Sequence, residues 1–146
     1  MNIEMNVKKL DGRATLPTYG SQCAAGADLY ACLDAPVTIE PAQTVLIHTG
    51  VAMAIPDGLV GLIFARSGLA SKKGLAPANK VGVIDSDYRG EIMVALHNHG
   101  SVPQVVGHGE RIAQIAFLPF YAATFNTVDE LDSTERGAGG FGSTGK

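Results

Sequence analysis

Short β-branched runs, each ended by glycine, proline or an Asx-type turn signal, most limit how this chain can fold. Residues 36–65, PVTIEPAQTVLIHTGVAMAIPDGLVGLIFA, hold three such runs, cut at Pro41, at Thr49-Gly50 and at Pro56-Asp57-Gly58. All three cuts are turn chemistry. Upstream, residues 2–10, NIEMNVKKL, alternate apolar and polar with period two, as a half-buried strand does. Residues 91–100 and 111–125 supply later strands. One helical pattern interrupts them, SGLASKKGL at residues 67–75, about two turns long and ending near Gly74. Many short strands at this spacing, without an internal repeat, predict an all-β, jelly-roll-like sandwich or barrel with one short helix.

At 146 residues with 46% hydrophobic and 17% charged content, the chain reads as one folded domain with a proper core. The net charge of -3 and the lack of a basic run argue against double-stranded nucleic acid as a partner. A polyanion can still be held locally by glycine-rich backbone and a metal ion. No apolar stretch approaches the roughly 20 residues of a membrane span, and no signal peptide pattern is present. Cys23 and Cys32 read as reduced thiols in a soluble, cytoplasmic domain.

Residues 81–92, VGVIDSDYRGEI, break the alternation in an instructive way. Apolar flanks read as buried strand ends, yet between them stand Asp85, Asp87, Tyr88, Arg89 and Glu91. A carboxylate beside a core is costly unless it is paired, hydrogen-bonded or near a cation. The end of the sequence differs again. Residues 134–146 are glycine-rich with a lone aromatic, Phe141, and cannot build a core, so they read as a mobile tail after a domain spanning 1–133. GFGSTGK at 140–146 matches G-x-x-x-x-G-K, but a phosphate loop needs a Ser or Thr next, a strand before and a helix after. With Lys146 the last residue given, that reading is not expected, although glycine N–H groups can still wrap an anion.

Three further stretches carry polar residues at strand ends. In AGADLYA (25–31), Asp28 is either a turn residue at a strand edge or part of a site. In ARSGLASKKGL (65–75), Arg66, Ser67 and Gly68 fall where a strand gives way to the helix, and Ser67 can serve as N-cap or as a phosphate donor. In GERIAQIAF (109–117), Gln114 either satisfies a buried backbone group or contacts a ligand.

Taken in order, AGADLYA, RSGLASKKGL, NKVGVIDSDYRGEI, GERIAQ and RGAGGFGSTGK resemble the five motifs of the trimeric dUTPase family. The resemblance runs from Ala25 to the C-terminus. It departs at Ala65, where proline is common, and at ANKVG, which replaces a more usual Asn-Ser-Pro-Gly; neither change removes a functional side chain. The resemblance implies a homotrimer with active sites shared between subunits. It also implies Mg²⁺-assisted hydrolysis of dUTP to dUMP and pyrophosphate, which keeps uracil out of DNA and supplies dUMP for thymidylate synthesis. Asp85 would activate the attacking water at the α-phosphorus, and Asp28 would hold a metal-bound water. Tyr88 would lie against the deoxyribose and refuse a 2′-hydroxyl. Residues 79–93 would form a hairpin that reads uracil through its backbone, with Asn79 adding an amide and Val83, Ile84 and Met93 packing the pocket. Arg66, Ser67, Gly68 and Gln114 would hold phosphate. From the tail, Arg136 would clamp the γ-phosphate, Phe141 would stack on uracil, and Gly142, Ser143 and Thr144 would add donors. Asp87 would pair with an arginine and buttress the loop.

His97 and His99 share a strand face, as metal ligands can, but no Cys or carboxylate stands at matching spacing, and they read as surface or interface residues. His48 and His108 have no constellation, and Arg111 reads as a structural ion-pair partner. Two rivals differ in class. A dCTP deaminase shares a similar RSGLA-type motif but needs a glutamate at the base, and the intact set Asp85, Tyr88 and Phe141 argues against a silent dUTP-binding regulator.

Overall fold

A computed structural model describes residues 3–140. In chain order the strands are β1 (Asn6–Lys9), β2 (Thr18–Tyr19), β3 (Ala27–Tyr30), β4 (Val37–Ile39), β5 (Thr44–Ala54) and β6 (Leu59–Phe64). The helix α1 (Ser67–Lys73) follows, then β7 (Leu75–Pro77), β8 (Gly82–Ile84), β9 (Glu91–Asn98), β10 (Gln104–Val106) and β11 (Arg111–Pro119). They form a four-stranded sheet, β1-β5-β9-β7, a five-stranded sheet, β2-β3-β11-β6-β8, and a small β10-β4 pair. All the sheet pairings are antiparallel, giving the expected all-β, jelly-roll-like architecture.

Period-two alternation builds the core. On β9, Ile92, Val94 and Leu96 face inward while Met93, Ala95 and His97 are half-buried on the other face. On the opposing sheet Leu29, Ile63 and Ile115 are buried, and Ile39 and Val106 of the small pair close one end. Each such side chain contributes about 1.5–3 kcal/mol when fully removed from water. Asn98 is one of two buried polar side chains among the described residues, with Thr49. Its amide donates to the carbonyls of Ile39 (2.9 Å) and Val102 (2.8 Å) and accepts from the Gly100 N–H (2.9 Å), so its burial is compensated.

The helix ends at Gly74, whose φ of 67° is left-handed and whose N–H bonds the Ala70 carbonyl. Ser67 does not cap it. The N-cap is Arg66, no side-chain cap bond is made, and Ser67 already lies inside the first turn.

Two other expectations change. Thr49-Gly50 is not a turn but a bulge inside the eleven-residue β5, where the register against β9 slips between His48 and Ala52. Gly50 takes a φ of 68°, and a Cβ there would lie 2.8 Å from the Ala14 Cβ, so glycine serves a tight packing need rather than a chain reversal. Residues 79–93 do not form a hydrogen-bonded hairpin: β8 pairs with β6, and β9 with β5 and β7. The segment crosses between sheets, because Gly82 lets β8 approach the Ile63 side chain on β6, where a Cβ would meet it at 3.2 Å.

The sheets end at Pro119, and residues 120–140 carry neither strand nor helix. Tyr121, Phe125 and Leu131 in that stretch are 100%, 93% and 86% exposed. Cys32 is buried and Cys23 exposed, both as free thiols. Among the described residues no helix is long and apolar enough to cross a membrane.

Candidate active site

The antiparallel register aligns Asp28 on β3, Gln114 on β11 and Phe64 on β6 as one row across the five-stranded sheet. Asp28 lies between the buried Ala27 and Leu29, so its side chain emerges on the face opposite the core. Two arginines meet it there. Arg66 Nε donates to one carboxylate oxygen at 2.7 Å and Arg111 Nη1 to the other at 3.2 Å. Beside them Gln114 Nε2 donates to the Ala65 carbonyl at 2.9 Å. The same side chain sits over Gly26, where a Cβ would be 2.5 Å from Gln114 Oε1. AGADLYA, ARSGLASKKGL and GERIAQIAF are therefore one physical unit, cross-linked by these bonds.

The unit floors an open cleft of about 610 Å³ that also includes Ser67, Gly68, Lys72, Lys73, Tyr30 and Glu110. Arg66, Arg111, Lys72 and Lys73 outnumber Asp28 and Glu110, so an acidic chain concentrates positive charge here. Sequence patterning does not single out Tyr30, Lys72 or Lys73. The lysines were legible in principle, since one helical turn carries their side chains back toward the cleft. Arg111 takes the ion-pair role read for it. Gln114 does satisfy a backbone carbonyl, from a half-buried position that keeps it in the cleft wall.

Asp85 and Tyr88 lie elsewhere. Ile84 on β8 pairs with Gly61 near the start of β6, whereas Gln114 pairs with Phe64 at its end. Three residues separate the two rows, about 10 Å along the strand, and Asp85 lies one step further off. The loop is held mainly by local bonds. Tyr88 N–H donates to the Asp85 carbonyl (3.2 Å), and Arg89 Nη1 donates to the carbonyls of Ser86 (2.6 Å) and Tyr88 (3.0 Å). Arg89 thus serves backbone acceptors, and the expected pair between Asp87 and an arginine is not made; Asp87 is exposed. Val83, read as a buried flank, is 62% exposed because only Gly82 of β8 reaches the core. β8 is the sheet's edge strand, so one row of its backbone groups is left unpaired by the sheet. Asn79 is exposed, while Ile84 and Met93 are half-buried.

Arg136 is exposed, its Nε donates to the Gly139 carbonyl at 2.9 Å within its own turn, and it does not line the cleft. Phe141, Gly142, Ser143 and Thr144 lie outside the described residues. The histidines also sort themselves. His48 Nδ1 contacts Glu91 Oε2 at 2.9 Å and His108 Nδ1 accepts from Leu33 N–H at 3.2 Å, so each has a partner that sequence did not reveal. The His97 and His99 rings meet edge to face with centroids 4.3 Å apart. Among the described residues no group of three or more His, Cys, Asp or Glu side chains is gathered to hold a metal.

Comparison with known proteins gives the family and the fold. The family model described as dUTPase matches residues 12–145. The deoxyuridine 5'-triphosphate nucleotidohydrolase of Desulfitobacterium hafniense DCB-2 is 56% identical over 146 residues, covering 99% of this chain and 97% of its own. That of Paraburkholderia phymatum is 49% identical over 147 residues, covering 99% of each chain. Among solved structures, the Staphylococcus bacteriophage 80alpha dUTPase with dUPNHPP superposes with a TM-score of 0.86 at 29% identity, over 99% of this chain and 100% of that one. A mutant of the 80alpha phage dUTPase gives 0.88 at 30% identity, over 98% and 99%.

Proposed function

We infer the reaction from one premise: this chain belongs to the dUTPase family. It is a dUTP diphosphatase, hydrolysing dUTP to dUMP and pyrophosphate. The cationic cleft around Asp28 carries the mechanistic reading, because a triphosphate needs cations and N–H donors where its charge lies.

In this reading Arg66, Ser67, Gly68 and Gln114 bind the phosphates. Arg66 is already oriented by Asp28, so little of its freedom is lost on binding. Asp85 orients the attacking water in line with the α-phosphorus and accepts its proton. Tyr88 packs against the deoxyribose and leaves no room for a 2′-hydroxyl. The unpaired edge of β8, with Asn79, offers main-chain donors and acceptors to the uracil rim, and Val83, Ile84 and Met93 pack around it. Cytosine would leave buried groups unpaired at roughly 1–3 kcal/mol each. The tail residues Arg136, Phe141, Gly142, Ser143 and Thr144 close over the nucleotide.

The donor set fits Mg²⁺ that arrives with the phosphates, since Mg²⁺ takes one or two carboxylates and otherwise water and phosphate oxygen. Asp28 would hold one of its waters. When bound, the ion offsets charge on the phosphate oxygens.

The roughly 10 Å step between the Gln114 and Ile84 rows favours a homotrimer in which one copy's Asp85 loop faces another's cleft. The exposed Tyr121, Phe125 and Leu131 favour it too, because a single copy leaves them unburied. Uracil exclusion from DNA and supply of dUMP for thymidylate follow from the same reaction. The test is an assay of the common deoxynucleoside triphosphates and UTP, with and without magnesium. Pyrophosphate release confined to dUTP and dependent on magnesium is expected; ammonia release from dCTP, or binding without turnover, would overturn the reading.

A further inference from the structure

Glu91 stands one residue before the end of the VGVIDSDYRGEI stretch, and no role so far uses it. Its side chain meets the β5 bulge. There the slipped register sets Thr49, Gly50 and Val51 opposite Ile92 alone, so the Gly50 N–H has no ladder partner. Glu91 Oε1 accepts that N–H at 2.8 Å, and its Oε2 contacts His48 Nδ1 at 2.9 Å. Thr49 Oγ1 donates to the Ile92 carbonyl one residue along, and Leu10 N–H donates to the Gly50 carbonyl at 2.7 Å. The carboxylate is thereby fixed from two sides onto a bulge that is itself packed against Ala14 and Cys32.

The backbone of the same residue faces the loop. The Glu91 carbonyl accepts the Tyr88 hydroxyl at 3.0 Å. Tyr88 folds back in this way over Gly90, where a Cβ would collide with the ring and its hydroxyl. One residue therefore joins the rigid bulge to the ring that selects the sugar.

We propose that Glu91, oriented by His48, is a positioning residue for substrate selection: it fixes the carbonyl that holds Tyr88 and so sets the discrimination between deoxyribose and ribose. This rests on the sugar-selecting role given to Tyr88. Without the carboxylate the buried Gly50 N–H loses its acceptor, the bulge relaxes, and the carbonyl that holds the ring moves with it.

The test measures kcat/KM for dUTP and for UTP, alongside thermal melting, in Tyr88→Ala, Glu91→Ala, Glu91→Gln, His48→Ala and the Tyr88→Ala/Glu91→Ala double variant. Tyr88→Ala is expected to narrow the dUTP preference strongly, and Glu91→Ala to narrow it by roughly fivefold or more. Glu91→Gln, which can still accept from Gly50 and donate to His48, should return most of the preference. The double variant should be no less selective than Tyr88→Ala alone, as expected for residues acting through one contact. A wild-type preference in folded Glu91→Ala, with Tyr88→Ala altered, overturns the Glu91 role alone. An unaltered Tyr88→Ala overturns the Tyr88 reading and this inference with it. If Glu91→Ala does not fold, His48→Ala decides: it keeps the Gly50 bond, and a preference narrowed roughly twofold or more supports the role, while an unchanged one ends it.

Discussion

In the cleft, Asp28 is partly buried and held from two sides by Arg66 and Arg111, while in the loop Asp85 is exposed among local backbone bonds. Both are carboxylates next to strands, and the difference lies in who holds them. Partners for the cleft come from β3, the β6–α1 junction and β11, elements far apart in sequence, so the cleft exists only once the sheet is complete. The loop's bonds span few residues, apart from the anchor at Glu91. A cleft of that kind resists change and binds, whereas such a loop leaves its carboxylate free to meet something outside the chain. The comparison predicts that damage to the cleft costs stability as well as binding, and damage to the loop costs chemistry or selectivity alone.

The largest expected effect tests the loop. Asp85→Asn keeps the shape and removes the proton acceptor proposed above, so single-turnover hydrolysis should fall at least ~10²-fold while calorimetry still detects dUTP binding and melting is unchanged. Near-full turnover would erase the distinction between the two regions. Next comes recombination. Arg66→Ala and Asp85→Asn subunits, each nearly inactive alone, should regain activity after verified subunit exchange, because an intact cleft from one copy then meets an intact loop from another. If exchange is complete and no activity returns, each copy serves itself and the shared-site arrangement fails.

A smaller effect sharpens the contrast through two glycines. Gly26→Ala pushes Gln114 off the Ala65 carbonyl, and loss of that bond should lower stability by about 0.5–1.5 kcal/mol in denaturant unfolding. Gly90→Ala displaces only the exposed Tyr88 ring, so unfolding should hardly change while the dUTP preference over UTP narrows. Equal stability losses in both would mean the loop is as firmly built as the cleft.

The smallest effect concerns Glu91. Partial burial raises its pKa, but the bonds from His48 and the Gly50 N–H outweigh that and hold it below its ordinary 4.5. A carboxyl depressed in the folded state adds stability above its unfolded value, lost as pH falls through the folded one. Melting of the parent protein should therefore drop below about pH 4.5 more steeply than melting of Glu91→Gln. Identical acid limbs would mean that the Gly50 and His48 contacts add nothing to folding.

Sequence carried most of this architecture because its signals were local. Apolar runs at residues 91–100 and 111–125 marked β9 and β11, and Gly74 marked the end of the helix. Where partners were distant, sequence was mute. Nothing local distinguishes the turn expected at Thr49-Gly50 from the bulge that forms, because the choice depends on Glu91, Ala14 and Cys32. Neither could spacing reveal that Arg89 serves the carbonyls of Ser86 and Tyr88 instead of Asp87, or that His48 has a carboxylate across the sheet. Asp28, Arg66, Ser67, Gly68 and Gln114 were nameable one by one from their motifs. Their grouping around Asp28, apart from Asp85, required the register of three strands.

That register has an evolutionary consequence. β6 separates the Asp28 row from the Asp85 loop, and its Gly61 packs so closely that a Cβ would lie 2.9 Å from Ile55 Cδ1. Adding one residue inside β6 would turn Ile63 outward and carry Arg66 to the wrong face. Lineages descended from this chain can therefore lengthen or shorten at the Pro56-Asp57-Gly58 turn or beyond Pro119, but not between Leu59 and Phe64. Insertions in natural variants should fall accordingly.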